Sequence, residues 1–119
     1  MGKYVDGYIL PLPKKNIEAY REQASLAGKV WKEHGALDYV ECIAEDVKPG
    51  KVTSFPQAVK LEPDETVVFG WVVFESRAHR DRVNEAVMKD PRLAGMNPKT
   101  MPFDAMRMFW GGFELFVQA

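Results

Sequence analysis

The chain has 119 residues, which leaves room for one domain and not for two hydrophobic cores. Apolar residues make up 46% and charged residues 28%, too apolar for a disordered chain and ordinary for a globular one. With 16 basic and 17 acidic side chains the net charge is −1, which gives no electrostatic footprint for nucleic acid. Cys42 is the one cysteine, so no internal disulfide is expected; a reducing, cytoplasmic setting follows. No run approaches the roughly 18 apolar residues that cross a bilayer, so no membrane partner is expected. The start lacks a basic stretch followed by an apolar core, so no secretion signal is expected. After Met1-Gly2, Asp6 stands where a myristoylation signal needs Ser or Thr.

In chain order, YVDGYIL (4–10) is dense in β-formers and is closed by Pro11 and Pro13, predicting a first strand. From Asn16 to His34, Ile17, Tyr20, Ala24, Ala27, Trp31 and His34 fall at helical spacing, with Asn16 as N-cap and Gly35 just past the end. Gly28 within it predicts close packing at that turn. ALDYVECIAEDV (36–47) predicts a second strand. The segment 48–64 carries three prolines and one glycine, and a connection of that length predicts a functional or flexible loop. ETVVFGWVVFE (65–75) predicts a central third strand. Ser76 caps a second helix with its stripe at His79, Val83, Ala86 and Val87, ended by Pro91. Residues 91–105 show no period, and RMFWGGFELF (107–116) predicts a last strand with a glycine pair in its middle.

The order β-α-β-β-α-β predicts an α+β, ferredoxin-like single domain over 1–119: a four-stranded antiparallel sheet with two helices on one face. Strands one and three are expected as parallel central neighbours, with two and four at the edges. Alternation groups Val5, Gly7 and Ile9 with Val68, Gly70, Val72 and Phe74 and with Val40, Cys42 and Ala44, as a small-residue face for the helices. The opposite face would hold Tyr4, Asp6, Tyr8, Tyr39, Glu41, Val67, Phe69, Trp71, Val73 and Glu75. A face that aromatic calls for cover, and a second copy of the chain in a homodimer supplies it. Gly111 and Gly112 then predict a bulge or a close backbone approach, with Glu114 aimed by the bulge or simply charging an exposed edge.

Five stretches, YVDGYILPLPKKN, EHGALDYVECIAEDV, GKVTSFPQAVKL, SRAHRDRVNEAVMKDPR and MPFDAMRMFWGGFE, resemble in order the signature blocks of a bacterial family known as domain of unknown function 1428. The resemblance covers essentially the whole chain and implies a dimeric α/β barrel, in which two ferredoxin-like protomers join their sheets with the helices outside. Proteins on that fold include cofactor-free monooxygenases, isomerases, dehydratases and haem enzymes, so the fold does not name a reaction.

Candidate chemistry is sparse. His34 and His79 are acid–base candidates, against ordinary hydrogen-bonded core histidines. They are expected at opposite ends of parallel helices, on the order of 20 Å apart, and with one cysteine and no HxxxH spacing no metal site is expected. Arg77 and Arg80, with Arg82, crowd a helix start and suit an anion, or simply pair with Glu75, Asp81 and Glu85. Asp6, mid-strand among aromatics, is a buried acid–base candidate or the partner of Arg107. Tyr8, Tyr39, Trp71 and Trp110 would line a pocket or fill a dimer core. No phosphate loop, nucleophile elbow or dinucleotide fingerprint is present, so no cofactor is expected. The expected function is a homodimer binding a small apolar or anionic molecule, with any catalytic role resting on Asp6 or a histidine; the alternative is a non-catalytic assembly module whose aromatics serve only the interface.

Overall fold

β1 (Tyr4–Pro13) continues through both prolines that were expected to close it. The reason lies in its neighbours. β4 (Phe109–Glu114) pairs with β1 only from Tyr4 to Ile9, so from Leu10 onward β1 is an edge, where a missing N–H costs nothing. The computed structural model describes residues 3–97 and 99–119; Met1 and Gly2, read above for a lipid signal, and Pro98 in the 91–105 segment lie outside the described residues.

α1 (Ile17–Glu33) follows a 3₁₀ turn at Lys14–Asn16. Asn16 occupies the N-cap position, but its side chain donates instead to the Pro102 carbonyl at 2.8 Å, tying the 101–103 segment to the helix start. Gly35 has φ +120°, the left-handed conformation expected just past a helix. β2 (Asp38–Ile43) is half the predicted length. The long connection after it holds a short helix, α2 (Phe55–Ala58), capped by Ser54. β3 (Glu65–Phe74) and α3 (Arg77–Met88) follow, and the Ser76 hydroxyl accepts from the His79 N–H at 3.0 Å, as predicted.

The sheet order is β2-β3-β1-β4, with every neighbouring pair antiparallel. The α+β, ferredoxin-like arrangement therefore holds, but β1 and β3 are antiparallel, not parallel. The first crossover makes β1 and β2 parallel, and the returning β3 inserts between them. The sheet does not close on itself: β2 and β4 are its edges.

The register also corrects the faces. Tyr4, Asp6, Tyr8 and Leu10 of β1 stand opposite Phe74, Val72, Gly70 and Val68 of β3, and Tyr39 and Glu41 opposite Val72 and Gly70. This is the helix side: Tyr4, Val72 and Phe74 pack with Val30, Val83 and Val87. A second cluster at the other end joins Leu10, Leu12 and Val68 to Phe103. Grouping small residues together fails because each glycine faces a ring. A Cβ on Gly70 would lie 2.6 Å from the Tyr8 hydroxyl, and one on Gly112 would collide with the Tyr4 ring. The β1–β4 register runs unbroken through Gly111 and Gly112, so there is no bulge; Gly112 makes room for Tyr4.

The other face carries Val5, Gly7 and Ile9 with Phe69, Trp71 and Val73, and with Phe109, Gly111 and Phe113. α2 covers one end of it, Phe55 lying against Phe69 at 6.0 Å between ring centroids. The rest is open: Phe69 is 41%, Phe109 46% and Phe113 62% exposed.

Candidate functional site

Between the two core clusters the helices do not close on the sheet. A cavity of about 410 Å³ remains, walled by β1, β2, α1, α3, Leu93, Met96 and the stretch from Met101 to Trp110. Its lining is mostly apolar, with Leu10, Val72, Met88, Met96, Phe103 and Met108 among the residues that form it. The polar groups gather at two places.

At the first, Asp6 is 7% exposed and faces α3. Its Oδ1 lies 3.2 Å from the Arg80 guanidinium without a well-aligned hydrogen bond, and its Oδ2 accepts from Asn84 at 3.2 Å. Asn84 in turn accepts from the Trp31 indole N–H at 3.0 Å. Arg80 also reaches Asp81 at 3.0 Å, donates to the Tyr4 hydroxyl at 3.3 Å and lies over the Tyr4 ring at 5.0 Å. Burial holds the Asp6 carboxyl above its ordinary value, against the opposing pull of Asn84 and Arg80.

At the second, Glu41 accepts from two phenols: Tyr39 at 2.7 Å on one oxygen and Tyr20 on the other. Tyr8 stands level with Glu41 across β3, both opposite Gly70, and its hydroxyl is buried without an aligned hydrogen bond, as is Gln23 Oε1 from α1. Burial first, then the neighbouring negative charge and phenols, pushes all three tyrosines well above the usual phenol range, so they stay neutral. Asp6 and Glu41 sit on strands separated by β3 and offset by one pleat, roughly 12 Å apart at Cα.

The sequence candidates are thus divided. Asp6, Tyr8, Tyr39 and Trp110 line the cavity, and Arg80 stands behind Asp6. Trp71 is on the open face, in a row with Gly7 and Gly111. Arg77 is exposed at the start of α3, and Glu114 is exposed on the edge strand opposite Tyr4. Arg107 is not the partner of Asp6; it makes a bidentate pair with Glu65 at 2.7 Å and reaches Asp104 at 2.9 Å. Arg80, expected to hold an anion, is engaged by Asp6 and Asp81.

The histidines lie outside the cavity lining. His34 Nε2 is 2.8 Å from Asp90, and His79 Nδ1 accepts from the Glu75 N–H at 3.0 Å. The expected wide gap between their surroundings is absent: His79 Nε2 would lie 3.3 Å from a Cβ on Gly35, next to His34. With β1 and β3 antiparallel, the helices that follow them run in opposite senses, and this brings the end of α1 to α3. Among the described residues no group of three or more His, Cys, Asp or Glu side chains could hold a metal ion.

Glu41, Tyr20, Asn84 and Gln23 were not singled out as site residues. Two signals pointed to Glu41 and Asn84. Glu41 follows Tyr39 by two residues, hence on the same face, and Asn84 follows Arg80 by four, on the same side of its helix.

These features define a ferredoxin-like α+β protein with a mainly apolar, acid-lined cavity under its helices. The chain belongs to the family described as "Protein of unknown function (DUF1428)", whose model matches residues 3–105. It is 48% identical over 115 residues to the "Uncharacterized protein YbaA" of Escherichia coli strain K12, covering 97% of each chain, and equally so to that of Shigella flexneri. Its fold is similar to the crystal structure of a dimeric ferredoxin-like protein from an uncultured marine organism, with TM-score 0.63, 13% identity and 100% of each chain covered. No helix among the described residues is long and apolar enough to cross a membrane.

Proposed function

We propose that the protein is a single-domain homodimer in which each protomer binds a small, mainly apolar molecule in the cavity between sheet and helices. Asp6 is the group that exchanges a proton with that molecule, in chemistry of the cofactor-free monooxygenase, isomerase or lyase kind. The observation that carries this reading is the placement of a buried carboxylate, with its proton affinity raised, on the wall of a cavity of about 410 Å³. In the alternative, a non-catalytic assembly module, the same carboxylate would serve only to hold Arg80 and join sheet to helix.

The homodimer rests on the open face. Phe69, Phe109 and Phe113 form one apolar surface around Trp71, and the neighbouring fold from the marine organism is described as dimeric. Two such sheets facing each other would make the barrel, with one cavity in each protomer and outside the sheet–sheet interface.

A thermal-shift screen of metabolites tests the binding, with Ala27→Trp, which fills the cavity, as the blocked control. Ligands should raise the Tm of the native protein and leave that of the blocked one unchanged. Equal shifts in both, or none in either, would overturn the reading. A ligand recovered chemically unchanged after prolonged incubation would leave a binding module rather than an enzyme.

A further inference from the structure

We infer that the cavity takes an organic amine, bound as its ammonium with the apolar body among the aromatic side chains. The inference rests on reading the cavity as a ligand site and adds the class of ligand. Two carboxylates, Asp6 and Glu41, reach the lining, and no lysine, arginine or histidine does so. Arg80, which balances Asp6 from behind, also serves Asp81. The wall is therefore acidic in balance, by one unit of charge when both carboxylates are ionised.

The unpartnered groups agree. Asp6 Oδ1, the Tyr8 hydroxyl and Gln23 Oε1 are buried without an aligned hydrogen bond, and each can accept one, Asp6 Oδ1 beside its 3.2 Å contact with Arg80; the fourth such group, Arg80 Nε, is a donor but lies 3.0 Å from Asp81. A ligand that donates N–H satisfies the three acceptors, whereas leaving a buried acceptor dry costs about 1–3 kcal/mol. Tyr8, Tyr20, Tyr39, Trp31 and Trp110 add ring faces, and a cation within about 6 Å of such a face is attracted to it. A carboxylate ligand would meet two like charges and no free cation, in a site where water screens them poorly. An alcohol of the same shape would gain the apolar contacts and lose the charge terms.

Calorimetric titration of the full-length protein with three probes of one shape tests this: 1-naphthylmethylamine, 1-naphthalenemethanol and 1-naphthoate at pH 7.5. The amine should bind about tenfold or more tightly than the alcohol, and the naphthoate not measurably. Glu41→Gln should weaken the amine about tenfold while leaving the alcohol within about twofold, so that alcohol binding also reports an intact fold. Asp6→Asn provides a second variant with the same expectation. Glu85→Gln, which removes an exposed acid on α3 outside the lining, should change nothing. An alcohol or naphthoate that binds as well as the amine would overturn the amine assignment and leave the cavity reading standing, as would equal losses for amine and alcohol in both cavity variants. Failure of all three probes to bind would count against the cavity reading itself and take this inference with it.

Discussion

Asp6 of β1 and Arg80 of α3 meet at 3.2 Å beneath the helix layer, joining sheet to helix at the wall of the cavity. The pair is nearly dry, each side chain about a tenth exposed. Removing one partner of such a pair leaves the other buried and uncompensated, whereas the pair itself adds little net stability. In the function proposed above, the pair places a carboxylate on the cavity wall.

The Asp6 carboxyl is held above its ordinary 3.8 by burial, which gives its pH dependence a sign. Between that value and the raised one, the folded chain keeps a proton that the unfolded chain has released. The contribution of Asp6 to stability is then largest below the unfolded value and falls as pH rises through the folded one. Comparing urea denaturation of the native protein and Asp6→Asn isolates it from other acids. The stability difference should shift in favour of the native protein as pH drops from 7.5 to 4.5; a constant difference would refute the raised value.

Glu65 behaves in the opposite way. Arg107 holds its carboxyl below the usual range by a bidentate hydrogen bond, so the stability it adds is present above the unfolded value and lost as pH falls through the folded one. Arg107 also donates to the Lys60 carbonyl at 3.0 Å, fastening the loop before β3 to the turn before β4. Arg107→Ala strands a nearly buried carboxylate and should cost about 3 kcal/mol at pH 7, measured by chemical denaturation. The loss should shrink toward pH 3.

The two adjacent glycines should respond differently to alanine. A Cβ on Gly112 collides with the Tyr4 ring, and Gly112→Ala should cost about 1–3 kcal/mol. A Cβ on Gly111 meets nothing closer than Phe113 at 3.6 Å, an ordinary contact, and Gly111→Ala should change the unfolding free energy little in the isolated fold. Equal effects would mean that the Tyr4 contact is not what selects glycine.

The open face should govern assembly. Sedimentation at micromolar concentration should give about 27 kDa, twice the 13.5 kDa chain, and Phe113→Asp should bring it to the single-chain mass with the helical circular dichroism retained. A native chain that sediments at the single-chain mass while folded would end the homodimer proposal.

Much of the fold was legible because its signals are local. The helical stripe from Ile17 to Trp31, the Ser76 cap and Gly35 past the first helix depend on residues a few positions apart, and each stands where the spacing put it. The site was half legible. Asp6 stands out as an acid among aromatic neighbours, but the salt-bridge partner the sequence offered for it is Arg107, on the neighbouring strand. Arg80, 74 positions away on a helix, could be matched to it only once the helix lay over β1.

The amino-acid order alone determined the four strands, the two long helices and the presence of an apolar face, since periodicity and turn chemistry act over short distances. Which side of each strand faces the helices was decided only by the assembled sheet. The antiparallel register pairs Tyr8 with Gly70 and Asp6 with Val72, residues 62 and 66 positions apart in the chain. A one-residue change in register reverses every side chain at once, and no short-range pattern carries that information.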